Sequence, residues 1–257
     1  DAMLNQYLQR LDRSYHAVGA RLKILENRIK DAAPDSVNRR SAKELGGWVK
    51  RMGRAIHLRI DMEEALIEDP SMTREELVDH WRTVAKNEGN AYGTEQEETI
   101  ADALALEGDM LSVMEDLARE NRFMGQALMR AKLIGNAREY YSARIWFSSE
   151  HEIDSNSFVA MMGSAPINPT QAGGPFRLGV GDRTRRRVFG SILEGWSQGK
   201  KLSVDDALVA AERVQRDGFE ALHNIAVRKA LVDAGLVRLR KGDEKLPDGF
   251  VKIKTTA

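Results

Sequence analysis

Leu4, Leu8, Leu11, Tyr15, Val18, Leu22, Leu25 and Ile29 recur in alternating steps of four and three along the first thirty residues. This spacing is the a/d seam of a heptad repeat, held for about four heptads. The positions between them are mostly Gln, Arg, Lys, Asn and Glu. A stripe of that length needs a helical partner, because packing of the apolar face supplies most of a helix's stability in water. The partner is either another helix of the same chain or a second subunit. Pro34 biases Ala33 away from the helical region, so the helix is predicted to stop near Asp31.

The next segments also read as helices. One is predicted to start at Asp35 or Ser36, to carry Leu45, Val49, Met52, Ile56 and Ile60, and to end before Pro70. With the first helix it forms an antiparallel hairpin, and Gly46, Gly47 and Gly53 in it permit close helix approach. A third is opened by a capping box, Thr73 with Glu76, and closed by Gly89. A fourth, opened by Thr94 with Glu97, runs through Ile100, Leu104, Leu111, Leu117 and Leu128 to Gly135-Asn136. At about 40 residues it would be about 60 Å long. Such a helix implies an elongated bundle or spacer.

Beyond it lies an aromatic stretch, Tyr140, Tyr141, Trp146 and Phe147, expected to pack against the bundle, and a short helix around Phe158 to Met162. Pro166, Pro169, Gly173, Gly174, Pro175, Gly179 and Gly181 then mark a linker. A helix is predicted from Arg183 through Trp196 to Gly199, and another from Ser203 or Asp206 to Gly235. Leu236–Leu239 and Phe250–Lys254 read as a short β-hairpin. The expected fold is mainly α. An elongated helical hairpin (1–70) and an acidic long-helix region (71–165) form a bundle. A linker (166–181) leads to a small basic helical domain ending in a β-hairpin (182–257).

The formal net charge is zero, with 39 Lys and Arg against 39 Asp and Glu, but the charges are segregated. Residues 1–60 hold 13 basic and 6 acidic side chains, and residues 61–120 hold 4 and 18. Residues 121–181 hold 6 and 4, and residues 182–257 hold 16 and 11. A polyanion-binding protein of the usual kind would be basic throughout. Balanced blocks instead favour folding back or self-association. Cysteine is absent, which excludes a disulfide scaffold, thiolate metal sites and a cysteine nucleophile. No apolar run approaches the roughly 20 residues of a membrane helix. Asp1 in place of an initiator Met predicts a piece of a longer or processed polypeptide.

Catalytic signatures fail one by one. His151-Glu152 lacks the second histidine of a zinc-protease helix, and Gly190-Ser191 sits in a predicted helix rather than at a strand-to-helix elbow. Gly199-Lys200 resembles the end of a phosphate loop, but Glu194 stands where its first glycine belongs. No cofactor or metal is expected. Acids between Asp61 and Glu120 sit mostly on predicted solvent-facing helix positions; Glu150, Glu152 and Asp154 beside Trp146 and Phe147 make a better candidate cluster for catalysis, and a capping or loop role is the favoured reading of them. The best binding feature is Arg183, Arg185, Arg186 and Arg187, with Lys200 and Lys201 following. Guanidinium groups at a helix start suit phosphate, and they equally suit an acidic protein surface such as the 61–120 block.

The stretch Glu139-Tyr140-Tyr141-Ser142-Ala143-Arg144-Ile145-Trp146 resembles a recurrent element of very large bacteriophage proteins. The resemblance continues through Arg183 to Phe189, the helix from Ser203 to Gly235, and Pro247-Asp248-Gly249-Phe250-Val251. It covers roughly residues 94–254 in order and pattern. The family is that of giant internal virion, ejection and polyvalent proteins, packaged with the genome and delivered into the host. The resemblance implies a structural, non-enzymatic virion component that forms a homo-oligomer or joins other virion subunits and touches the DNA backbone. The alternatives are an accessory nucleic-acid-binding module of a larger enzyme, and a peptidoglycan-cleaving domain using Glu150.

Overall fold

The computed structural model describes residues 2–131, 133, 140, 145–146 and 191–236. The first helix, α1 (Ala2–Asp31), carries the heptad seam. Val18, Leu22, Leu25 and Ile29 are buried, and Leu11 and Tyr15 half-buried. Leu4 and Leu8 lie on the same helix, but their side chains fall outside the described residues. The described seam therefore closes within the chain. Arg28 and Lys30 stand in the last turn, where cations suit the negative end of the helix dipole.

The chain then turns before α2 (Ala42–Glu68), which begins later than Asp35 or Ser36. Ser41 caps it, accepting from the Glu44 amide at 3.3 Å, while residues 34–41 spend their backbone groups on turns such as Val37 N–H to the Pro34 carbonyl. The Trp48 indole donates to the Ile29 carbonyl at 2.9 Å, one of the acceptors left unpaired at the end of α1. From Met52 to Met62 every residue of α2 but Arg54 is buried. α2 is thus a central helix rather than one arm of a free hairpin.

The capping box of α3 (Arg74–Asn87) is present in both directions, Thr73 N–H to Glu76 Oε2 at 2.7 Å and Glu76 N–H to Thr73 Oγ1 at 3.2 Å. Gly89 follows at φ 72°. The predicted 40-residue helix is two helices, α4 (Thr94–Leu104) and α5 (Gly108–Arg130). Gly108 sits at φ 54°, open to glycine and strained for other residues, and Leu106 in the corner is buried. The corner sends α4 and α5 separately onto α2. The cap of α4 is also one residue earlier than expected. Gly93 is the N-cap, and its N–H is met by Gln96 Oε1 at 2.7 Å.

The remaining described elements are β1 (Ile145–Trp146), α6 (Ile192–Ser197), β2 (Leu202–Val204) and α7 (Ala207–Asp233). β1 and β2 pair antiparallel, so Ser203 lies in a strand and Asp206 alone caps α7, accepting from Leu208 N–H at 2.8 Å. α6 starts at Ile192, capped by Ser191, and not at the arginines. The expected terminal hairpin is not supported. Only Leu236 of it is described, exposed beyond the end of α7, and residues 237–257 lie outside the described residues. The short helix at 158–162, the helix end at Gly135-Asn136 and the linker at 166–181 lie outside them too.

Ile192, Leu193, Trp196, Ala207 and Ala211 share one buried cluster with Val18, Ile56, Ile100 and Leu117. The described part of the predicted 182–257 domain is therefore built into the core of the N-terminal helices. α1 runs antiparallel to α5, as the pairs Arg28–Asp116 (2.6 Å) and Arg21–Glu120 (2.7 Å) show. It lies against α7 with Ser14 3.1 Å from His223 and Tyr15 under the Arg216 guanidinium. The segregated charges meet here. Arg21, Arg28, Arg51, Arg54 and Arg59 of the basic block pair with Glu120, Asp116, Asp102, Glu95 and Glu63 of the acidic one. The fold brings the two blocks together inside one chain.

Candidate functional site

Gly53, His57, Asp61 and Glu64 recur at helical spacing along one face of α2, and all four are buried. Asp61 and Glu64, in the acidic block, are 0% and 4% exposed. This face receives the 191–206 segment. His57 Nδ1 lies 3.1 Å from the Asp205 carbonyl, and Asp61 Oδ2 accepts from Ile192 N–H at 2.7 Å. A Cβ on Gly53 would stand 2.9 Å from Asp206 Oδ1 and closer still to Oδ2, so only glycine admits the α7 cap at that point. Burial pushes the Asp206 carboxyl above the usual carboxylate range, against the Val209 and Leu208 amides that favour its charge.

Docking that segment leaves a cleft of about 310 Å³ at its edge. α2 contributes Arg54, His57 and Leu58, the N-terminal turns of α4 contribute Glu95, Gln96 and Thr99, and α6 contributes Ile192 and Trp196. Lys201, Leu202 and Asp205 close the remaining side. Tyr92, next to this wall, packs edge-on to Trp196 and donates its hydroxyl to the Leu193 carbonyl at 3.0 Å. Burial raises the Tyr92 hydroxyl above its ordinary value, which keeps it a donor.

Arg54 stands between two carboxylates. Its Nη1 donates to Glu95 and lies 3.8 Å from Asp205 Oδ2. Its Nε is buried and has no hydrogen-bond partner. Lys201 is exposed at the rim and forms no ion pair with a described residue. Among the described residues no group of three His, Asp or Glu side chains is placed to hold a metal.

Of the basic residues singled out from the sequence, Lys200 and Lys201 are exposed in the turn between α6 and β2, with Gly199 before them at φ 71°. Arg183, Arg185, Arg186 and Arg187 lie outside the described residues, as do Glu150, Glu152 and Asp154. Tyr140 packs on the core, as expected of the aromatic stretch, while Trp146 belongs to β1 and Tyr141 and Phe147 are outside the description. The cleft was missed. The spacing of Gly53, His57 and Asp61, four apart on α2, marks only the buried face that receives the 191–206 segment, not the cleft itself. No helix among the described residues is long and apolar enough to cross a membrane. The chain matches no family model, and comparison with curated proteins and with solved structures gives no match either.

Proposed function

We propose that this chain is a structural module of a bacteriophage virion, a region of an internal or ejection protein that assembles with other subunits and meets the packaged genome. The role is architectural rather than catalytic, and its place is the particle, from which the protein enters the host. The resemblance in the aromatic and C-terminal stretches supports the phage assignment.

One structural observation carries the assembly role. Gly218 of α7 faces Met124 of α5, and Arg21 of α1 faces Glu120. Counting from those contacts, α1 and α7 both outrun the end of α5 by about nine residues, or about 13 Å. This two-helix end carries the heptad positions Leu4 and Leu8 on α1, with Val232 and Leu236 exposed on and after α7. Among the described elements, a two-helix end that exposes Val232 and Leu236 has more to gain from a further helix than a closed bundle does.

Light scattering on the size-fractionated chain, at low and high salt, tests the proposal. The expected result is an oligomer that survives high salt, since its contacts are apolar and the charge blocks are paired internally. A monomer at every concentration and salt would overturn it.

A second reading, an accessory nucleic-acid-binding module, is favoured by the exposure of Lys200 and Lys201. It predicts salt-dependent DNA binding that is lost when Arg183, Arg185, Arg186 and Arg187 are replaced by Ala. Unchanged binding in that variant would remove the basic cluster from the reading.

A further inference from the structure

The cleft beside the docked 191–206 segment has the composition of a small-ligand site. At about 310 Å³ it stands at the lower end of the range for such sites, about 300–1,000 Å³.

Its chemistry is divided. Leu58, Ile192 and Trp196 are 1%, 1% and 9% exposed and give an apolar wall. The other wall is charged and balanced, with Arg54 and Lys201 against Glu95 and Asp205. A balanced rim gives a phosphate or other polyanion little net attraction. It suits a ligand that carries both signs on neighbouring atoms.

The Arg54 guanidinium defines where the negative end goes. Its Nη1 is committed to Glu95 and its Nε is closed off by burial, so the rest of the fork, on which no described residue is hydrogen-bonded, is what remains for a ligand. A carboxylate is the acceptor that suits an unfilled guanidinium edge best. The positive end then has Glu95 and Asp205 beside it, because both flank the same guanidinium.

We propose that this cleft binds a free α-amino acid with an apolar side chain. The carboxylate is received at the rim by the Arg54 guanidinium and Lys201, and the ammonium by Asp205 and Glu95. The side chain lies against Leu58, Ile192 and Trp196. A free amino acid is singled out over a peptide because its ammonium and carboxylate share one carbon, as the paired charges around Arg54 require.

Calorimetric titration of the full chain with L-leucine, L-methionine and L-phenylalanine tests this. 4-Methylpentanoate lacks the ammonium, 3-methylbutylamine lacks the carboxylate, and inorganic phosphate serves as the plain anion. At least one amino acid is expected to saturate the protein below about 10 mM, with each single-charge analogue about tenfold weaker or worse. Arg54→Lys keeps the charge but loses the planar fork, and should weaken binding about tenfold. Asp205→Asn should weaken the amino acid but not 4-methylpentanoate. Both variants are checked for an unchanged helical circular dichroism spectrum. If Arg54→Lys fails to fold, Asp205→Asn and Lys201→Ala, at more exposed positions, carry the test. The proposal is overturned if the folded wild-type chain binds no amino acid in that range. It is equally overturned if phosphate or 4-methylpentanoate binds as tightly as the amino acid, or if binding is the same in every folded variant.

Discussion

Arg59 is the residue whose loss should be felt most at the corner between α4 and α5. Its side chain is 7% exposed. Nη1 donates to the Ala103 carbonyl at 2.8 Å, with the Leu104 carbonyl at 3.5 Å, so a cation sits on the C-terminal carbonyls of α4. Nε donates to Glu63 Oε1 at 2.7 Å, and the same oxygen accepts from Arg74 Nε at 2.6 Å. Burial alone would raise the Glu63 carboxyl, but the Arg74 and Arg59 hydrogen bonds outweigh it and hold the group below its usual value.

Arg59→Met keeps the apolar stem and deletes the fork. Removing one partner of a buried pair costs about 3–5 kcal/mol when the other is left alone. Glu63 keeps Arg74, which lowers the figure, while the α4 carbonyls lose their cap, which adds about 0.3–1 kcal/mol. The expected loss is about 2–4 kcal/mol. With a urea slope of about 2–3 kcal/mol/M the unfolding midpoint should fall by about 1 M. A double-mutant cycle with Glu63→Gln should give a coupling of about 1–2 kcal/mol. A loss below about 0.5 kcal/mol, the size of an ordinary surface substitution, would refute the clamp, and so would strict additivity in the cycle.

Gly53→Val should cost about 1–3 kcal/mol or more by pushing Asp206 off α2, read as a lower denaturation midpoint; a neutral result would mean that Asp206 does not pack on Gly53. Trp48→Phe removes the hydrogen bond to Ile29 and should cost about 1 kcal/mol in the same assay. His223 is held below 6.5 by burial and by Arg10, so the fold favours its neutral form. The stability it contributes is intact above pH 6.5 and declines as pH falls from there toward the depressed folded value, and His223→Gln should remove that decline in a pH series of thermal midpoints. Glu63 is depressed instead, so its contribution is present above pH 4.5 and is lost as pH falls through its folded value; Glu63→Gln should flatten the acid limb.

Periodicity and capping chemistry made the helices legible. Val18 to Ile29 are buried as their spacing requires, and the Thr73 box opens α3 where it was expected. What local pattern does not encode is tertiary direction. Leu104 and Leu111 are seven apart and keep helical phase across residues 105–107, so the corner at Gly108 looks like continuous helix. Ser41 with Glu44 reads as a cap only once residues 34–40 are known to turn. The segregated charges were legible as complementary, and the structure decides that Arg21, Arg28 and Arg51 meet their partners within the chain. The cleft escaped because Arg54, Glu95 and Asp205 are far apart in sequence, and long-range juxtaposition leaves no periodic trace. Asp61 escaped for a related reason: a carboxylate on a helix is read as solvated until a backbone amide such as that of Ile192 is found against it.

The central claim is that the seam and the charge blocks close within one chain, leaving the α1 and α7 end for assembly. Because the chain has no cysteine, spin labels can be placed at Ala17→Cys on α1 and Glu220→Cys on α7, both exposed positions, without other changes. Packed helix axes lie about 8–10 Å apart, so electron–electron dipolar spectroscopy should record a single short distance. That distance should persist unchanged when the doubly labelled chain is diluted with an excess of unlabelled chain. Loss of the short distance on dilution would show that α1 packs on the α7 of another subunit, and would contradict the account.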